Sequence, residues 1–277
     1  MFKRYRPFFR AGAMETLSYK FNIFGWLIVS SLQVVCIFFL WIGVYQSSAE
    51  GANTVINGFT LKDMLVYTAF VNVFNFVSFP GNTMYSVVND ITKGTIALSF
   101  VKPISYRVRF IFTNLGALVM NMVLLGVPAF TILYLVFALI GYIRIASAWI
   151  FLLHLLLFLI ALLLASMLYD CLDYICGILC FYTTAGWGMN NMKSVIIGFL
   201  SGTLIPLSFF PGVFKQIVSY SPFAGMSQNP VLIFIFKMDT VAALGSIGLS
   251  FAWLCALELL AWLIFRQASK KVTVQGG

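Results

Sequence analysis

Asp170 and Asp173 stand three residues apart in the apolar run YDCLDYIC, so a helix there presents both carboxylates on one face. Ionisable groups inside an apolar span are functional candidates by default, because an unpaired charge in hydrocarbon is costly. Two acids facing an aqueous cavity would attract a cationic or amphipathic molecule. The competing reading is that the long apolar run carries both toward water at one end, where they are simply solvated. Glu258 lies about two turns before Arg266 in another apolar run, and His154 is the sole histidine. These groups do not assemble an enzyme. Acid–base or nucleophilic work needs clustered His, Asp or Glu, or a Ser or Cys beside a base. The cysteines (Cys36, Cys171, Cys176, Cys180 and Cys255) lie in apolar runs without partners at metal-ligand spacing, and read as small hydrophobes.

Two further sets of polar and aromatic residues stand in apolar surroundings. Asn72 and Asn75 share a helical face in the second run; they either bond to a neighbouring helix or contact a transported molecule. From Gly198 to Pro230 the chain stays aromatic while Pro206, Pro211, Pro222 and Pro230 interrupt any regular helix. Broken backbone at membrane depth is tolerated only where protein packs around it or it lines a watery cavity. This segment therefore points to a transport route rather than a plain lipid anchor.

The elements that hold these residues follow from composition. Of 277 residues, 61% are hydrophobic and 9% charged, and the mean hydropathy is +0.99. That excess of apolar side chain specifies an all-α polytopic membrane protein, with one integral domain over 1–277. Spans are expected at 22–46, 61–80, 109–138, 148–182, 194–211 and 241–265. The fourth is too long to cross straight, so it tilts, kinks or protrudes. Basic residues through Lys20 without a small-residue cleavage site argue against a removed signal peptide.

Orientation comes from Lys and Arg. With both ends in the cytosol, thirteen of the 17 basic residues fall on the inner side, leaving Lys62, Arg144, Lys215 and Lys237 outside. The net charge of +9 is then a topology signal and a contact with anionic headgroups, with no nucleic acid implied. Residues 1–21 mix Phe8 and Phe9 with Arg10. They suit a helix lying in the inner interface or, equally, an ordinary basic flank.

The loop at 81–109 is the one sizeable inner-side element. Val87, Ile91 and Leu98 recur at helical intervals with Asp90 and Lys93 on the polar side, and Pro103 ends the pattern. A short amphipathic helix parallel to the membrane offers a grip to a partner protein; the duller reading is a helix resting on lipid.

The run DITKGTIALSFVKPIS (90–105) resembles the motif after the second span of ABC-2 type ABC transporter permeases, in the branch formerly of unknown function that ends in VQGG. GILCFYTTAGWGM (177–189), FLSGTLIPLSFFP (199–211), SPFAGMSQNPVLIF (221–234) and VQGG (274–277) are similar to the same branch, in family order. Asp170 and Asp173 depart from its pattern.

The resemblance implies six helices of the type V exporter fold, the loop 81–109 being a coupling helix and 212–240 a re-entrant outer segment. It also implies a second permease, identical or different, and separate ABC ATPases that bind ATP and Mg. No cofactor is expected in this chain, which lacks a G-x-x-x-x-G-K-[ST] phosphate loop. On this basis Asp90, Lys93, Gly94, Leu98 and Lys102 are expected to face the ATPase. Tyr67, Asn72, Asn75, Asp170, Asp173, Ser201, Thr203 and Pro206 are expected along the pathway, and Phe209, Phe210 and Phe223 at an outer gate. The implied setting is a plasma membrane, of bacterial type, with export of a small amphipathic molecule, drug or peptide. A channel or secondary transporter is the rival, but it predicts an inverted repeat or a charged relay, and the sequence has no obvious repeat.

Overall fold

In hydrocarbon, backbone polar groups have only one another as partners, which selects helices for runs this apolar. A computed structural model describes residues 2–18, 20–48, 54–79, 83–97, 104–143, 147–183 and 186–269, and among them every extended element is helical. Helix α1 (Phe2–Ser18) precedes α2 (Lys20–Gln46) and α3 (Leu61–Ser78). The short α4 (Thr83–Thr92) follows. Then α5 (Tyr106–Asn121) runs through a π-turn at Met122–Gly126 into α6 (Val127–Leu139). Next come α7 (Ala148–Leu179) and α8 (Gly186–Leu200). A broken segment holds 3-10 turns at Leu207–Phe209 and Ala224–Met226, with α9 (Gly212–Tyr220) between them and α10 (Gln228–Phe234) after; α11 (Thr240–Ala268) completes the order.

Among the described residues, five stretches are long and apolar enough to cross a membrane: Leu27–Gln46, Leu61–Thr92, Tyr106–Leu139, Ala148–Leu179 and Thr240–Ala268. The chain is a multi-pass membrane protein. The expected span at 194–211 holds a regular helix only in its first part. Its helix is α8, of 15 residues, rising about 22 Å against a hydrocarbon core of about 30 Å. It stops at Leu200 because Gly202 takes φ +83, a left-handed turn, and because Pro206 cannot continue a helix.

The π-turn in the third span was not foreseen, but Pro128 explains it. Its ring has no N–H and crowds the carbonyl one turn earlier, so the ladder widens and Val127 N–H reaches back to Met122 O. Helix α7 has 32 residues, about 48 Å of rise, so it overshoots a core of about 30 Å. From Ala148 to Asp170 is already about 33 Å. Both acids thus belong to the protruding end of α7 if its start lies at the far membrane surface.

Helix α3 is the most enclosed span and α2 the least. Around α3, Phe70, Phe130 and Phe158 close on Phe234 of α10 at centroid distances of 5.2, 4.9 and 4.8 Å. This ring cluster is the main core. A second one joins Leu168, Tyr174 and Ile178 of α7 to Tyr106 of α5 and Leu257 of α11, beneath α4.

Helix α1 packs along α5 rather than standing apart. Two glycines make the crossing possible: a Cβ on Gly12 would lie 2.0 Å from the Thr113 carbonyl oxygen, and one on Gly116 would lie 2.0 Å from that of Phe9. Tyr5 stacks on Phe112 at 5.2 Å and accepts the Ser105 N–H. Gly116→Ala should therefore lower the melting temperature of detergent-purified protein, at an overpacking cost of about 1–3 kcal/mol. Gly25→Ala, with nothing within 4 Å of the new carbon, should leave it unchanged. Equal behaviour of the two variants would contradict this crossing.

Candidate functional site

Helix α4 forms because Met84 and Val87 bury one face completely while Tyr85, Ser86, Asn89, Thr92 and Lys93 stay exposed on the other. It lies on the last turns of α7, where Gly177 admits it: a Cβ there would sit 2.9 Å from Val87 Cβ and 3.3 Å from Met84 Cα. Gly94, at φ +68 and exposed, turns the chain after it. Leu98 and Lys102 lie outside the described residues, as does the 274–277 motif.

Both ends of α4 are fastened by charge. At its start, Thr83 Oγ1 donates to Asp170 Oδ1 at 2.5 Å and Met84 N–H donates to Asp173 Oδ2 at 3.4 Å. Asp170 Oδ2 then pairs with Arg107 Nη1 of α5 at 2.6 Å. The same guanidinium forks onto Glu258 of α11, with Nη2–Oε1 at 2.5 Å and Nε–Oε2 at 3.1 Å. Asp173 Oδ1 is paired with Lys193 of α8. The faces of Tyr174 and Tyr169 lie 4.7 and 5.0 Å from Arg107 and Lys193. At the far end of α4, Asp90 accepts from Arg109 at 2.6 Å and from Tyr106 and Thr95 hydroxyls at 3.0 Å each.

This seam is buried: Asp170 is 3% exposed, Asp173 2% and Lys193 6%. It holds three carboxylates, Asp170, Asp173 and Glu258, against two cations. The N-terminus of α4 supplies the missing positive potential, since unbonded N–H groups and the helix dipole favour an anion there. Both acids expected to meet a transported molecule are thus engaged with the chain itself. Asp90, expected to face a partner, is likewise turned toward α5; Lys93 and Gly94 remain outward.

Arg107, Lys193, Thr83 and Arg109 were not singled out in the sequence as site residues, and Glu258 was noted there without its partner. The signal for them was a requirement for balance. Acids in apolar runs need cations: Lys193 follows the run that carries Asp170 and Asp173, and Arg107 and Arg109 precede the third run on the same side of the membrane in the expected orientation.

At the far end of α8, a neutral clasp braces the break that follows it. Tyr67 OH donates to Gly202 O at 2.6 Å, Asn75 Nδ2 to Thr203 Oγ1 at 3.0 Å, and Ser227 Oγ to Asn75 Oδ1 at 2.5 Å. Ser201 Oγ lies 2.8 Å from Thr203 Oγ1, and Gln228 Oε1 accepts from Leu207 N–H at 2.6 Å. Tyr67, Asn75, Ser201 and Thr203 therefore come together with buried Pro206 beside them, as a hydrogen-bonded joint. Asn72 instead accepts from Ser30 of α2.

The three gate phenylalanines separate. Phe209 meets Trp41 at 5.3 Å, Phe210 meets Phe199 at 5.0 Å, and Phe223 packs into the core beneath α4. His154 is a core residue, its Nδ1 3.0 Å from Ile233 O. A cavity of about 430 Å³ opens nearby, lined by Tyr142, Phe236 and the 2.7 Å Asp63–Lys237 pair.

Comparison with known families adds one finding. The pattern that describes the ABC-2 family transporter proteins matches residues 31–276, nearly the whole chain. No curated protein matches it.

Proposed function

This chain belongs to the ABC-2 transporter family, and from that premise we propose that it is the permease subunit of an ATP-driven exporter. A second permease pairs with it, two cytosolic ABC ATPases drive the pair, and α4 is the coupling helix. In this reading both ends of the chain are cytosolic. Helix α8 with the broken segment after it serves as the fifth of six membrane elements, and α9 and α10 form the outer re-entrant part. The cargo is an amphipathic small molecule, drug or peptide.

One observation carries the proposal. A ten-residue helix is fixed to the bundle at both ends by charged contacts, yet keeps a polar face exposed. Fixation on one side and exposure on the other is what a transmitting surface requires: the partner pushes the free face and the fastened face conveys the load. Lys93 and Gly94 are the described residues best placed to meet the ATPase. Asp90 holds the helix in place for them.

The test is capture. An ABC ATPase encoded beside this chain should co-purify with it, and ATP hydrolysis should need both proteins. Lys93→Glu should weaken capture several-fold, since one unfavourable contact at an interface costs about 1–2 kcal/mol. A scrambled 83–97 segment should abolish it. Undiminished capture by the scrambled chain would sink the assignment of α4.

A further inference from the structure

Helix α8 is bonded to the rest of the chain along its first half and just past its end, while between them Ile197 packs into the core beneath α4 and the outer face is exposed. Near its start, Gly186 lies against Val88 of α4, where a Cβ would come 3.2 Å from Val88 Cγ1. One turn on, Asn190 Nδ2 donates to Tyr85 OH of α4 at 3.2 Å. Lys193 then pairs with Asp173, the same carboxylate that accepts from the first turn of α4. Beyond Lys193 the helix presents Val195, Ile196 and Phe199 outward. At its far end Ser201 O accepts from Gln228 N–H at 3.1 Å, and Gly202 O accepts from Tyr67. Two buried joints are thus joined by one short, regular helix.

Lys193 is chemically conspicuous in this frame. It is 6% exposed and the one charged residue of its helix, and an ammonium so placed is retained only with an anionic partner. An apolar pair at 173 and 193 would pack at least as well, so the two charges together have a use other than packing. Asp173, on α7, contacts both the first turn of α4 and Lys193 of α8.

We infer that Lys193 is a positioning residue which, through Asp173, makes α8 the rod carrying movement of α4 to the broken segment at Ser201–Gln228. A displacement of α4 pulls on the shared carboxylate. The ammonium follows it, and the helix delivers the motion about 12 Å further along, from Lys193 to the clasp at Ser201 and Gly202. Only the source of the movement rests on the proposed ATPase; the linkage of the two joints does not.

Amide hydrogen exchange reads this linkage directly. In the purified permease alone, Lys193→Gln should speed exchange about tenfold in three places together, the first turn of α4, α8, and Ser201–Gln228, because a buried pair has been broken. The α1–α5 crossing should stay as in the native protein. Lys193→Gln combined with Asp173→Asn removes both charges, keeps the fold, and should leave the same three segments uncoupled. Change confined to α8, or spread evenly over the bundle, would overturn the inference.

A second arm uses the complex with its ATPase and a non-hydrolysable ATP analogue with Mg. Lys193→Gln should keep the analogue's effect on α4 and lose it at Ser201–Gln228; persistence at both sites would again overturn the inference. If the native permease captures no ATPase, the proposed function fails, and the first arm still decides the role of Lys193.

Discussion

Replacing Arg107 with Ala should be the most damaging single change to the α4 end of the bundle. The guanidinium faces two carboxylates, one of them 3% exposed, and it bridges α5 to both α7 and α11. Its loss leaves Asp170 and Glu258 facing each other without a cation, which for a buried pair costs about 3–5 kcal/mol. Purified Arg107→Ala should give little monodisperse protein and a sharply lowered melting temperature. Arg107→Lys should recover only part of this, because an ammonium cannot fork onto both acids. The decisive variant is neutral. Arg107→Met with Asp170→Asn and Glu258→Gln should return most of the stability, since no charge is then left unpaired. A triple variant as unstable as Arg107→Ala would mean that packing of the arginine stem, not its charge, holds the seam.

How far the sequence disclosed this arrangement depends on which physics each part obeys. The helices obey hydropathy and length, so their existence could be read directly. The start of α3 shows why: Thr60 and Asp63 exchange backbone and side-chain bonds in a capping box, a local pattern visible in the letters. The exception is α8, where an apolar run continued past the true helix end. Apolarity does not report backbone angle, and the left-handed Gly202 decides the boundary. The π-turn was hidden for a similar reason, since Pro128 announces a disturbance without saying whether the helix kinks or widens.

The seam was half legible. Asp170 and Asp173 were conspicuous as acids in an apolar run, but their partners come from three other helices, and spacing along one helix cannot show that. Arg107, Lys193 and Glu258 lie 63, 20 and 151 residues from the groups they meet. Once those pairs are known, the acids read differently. A carboxylate already bound to a cation and to a helix start has little left to offer a cationic cargo. Transported molecules are therefore not expected to pair with these acids. Asp170→Asn should accordingly change stability far more than it changes selectivity between cationic and neutral compounds.

The second large effect should come from Gly202→Val at the other end of α8. The φ of +83 there is open to glycine, and a β-branched residue would pay about 1–2 kcal/mol to adopt it. The new Cβ would also lie 2.9 Å from each of Gln228 Cβ, Gln228 Oε1 and Tyr67 Oη. Relieving those contacts costs about 1–3 kcal/mol more and displaces the tyrosine that bonds the Gly202 carbonyl. The broken segment should then detach. Cysteines introduced at Val213 or Ile217 of α9 would react at altered rates with a membrane-impermeant maleimide, and the melting temperature should fall. Gly198→Ala, four residues earlier with nothing within 4 Å, should be neutral or slightly stabilising. Tyr67→Phe separates the two causes, since it removes one hydrogen bond, about 1 kcal/mol, without straining the backbone. If the clasp is one unit, adding Tyr67→Phe to Gly202→Val should cost almost nothing further, because the bond is already lost. Full additivity would show that strain at Gly202 and the Tyr67 bond act separately, and that the break after α8 is held by its turn alone.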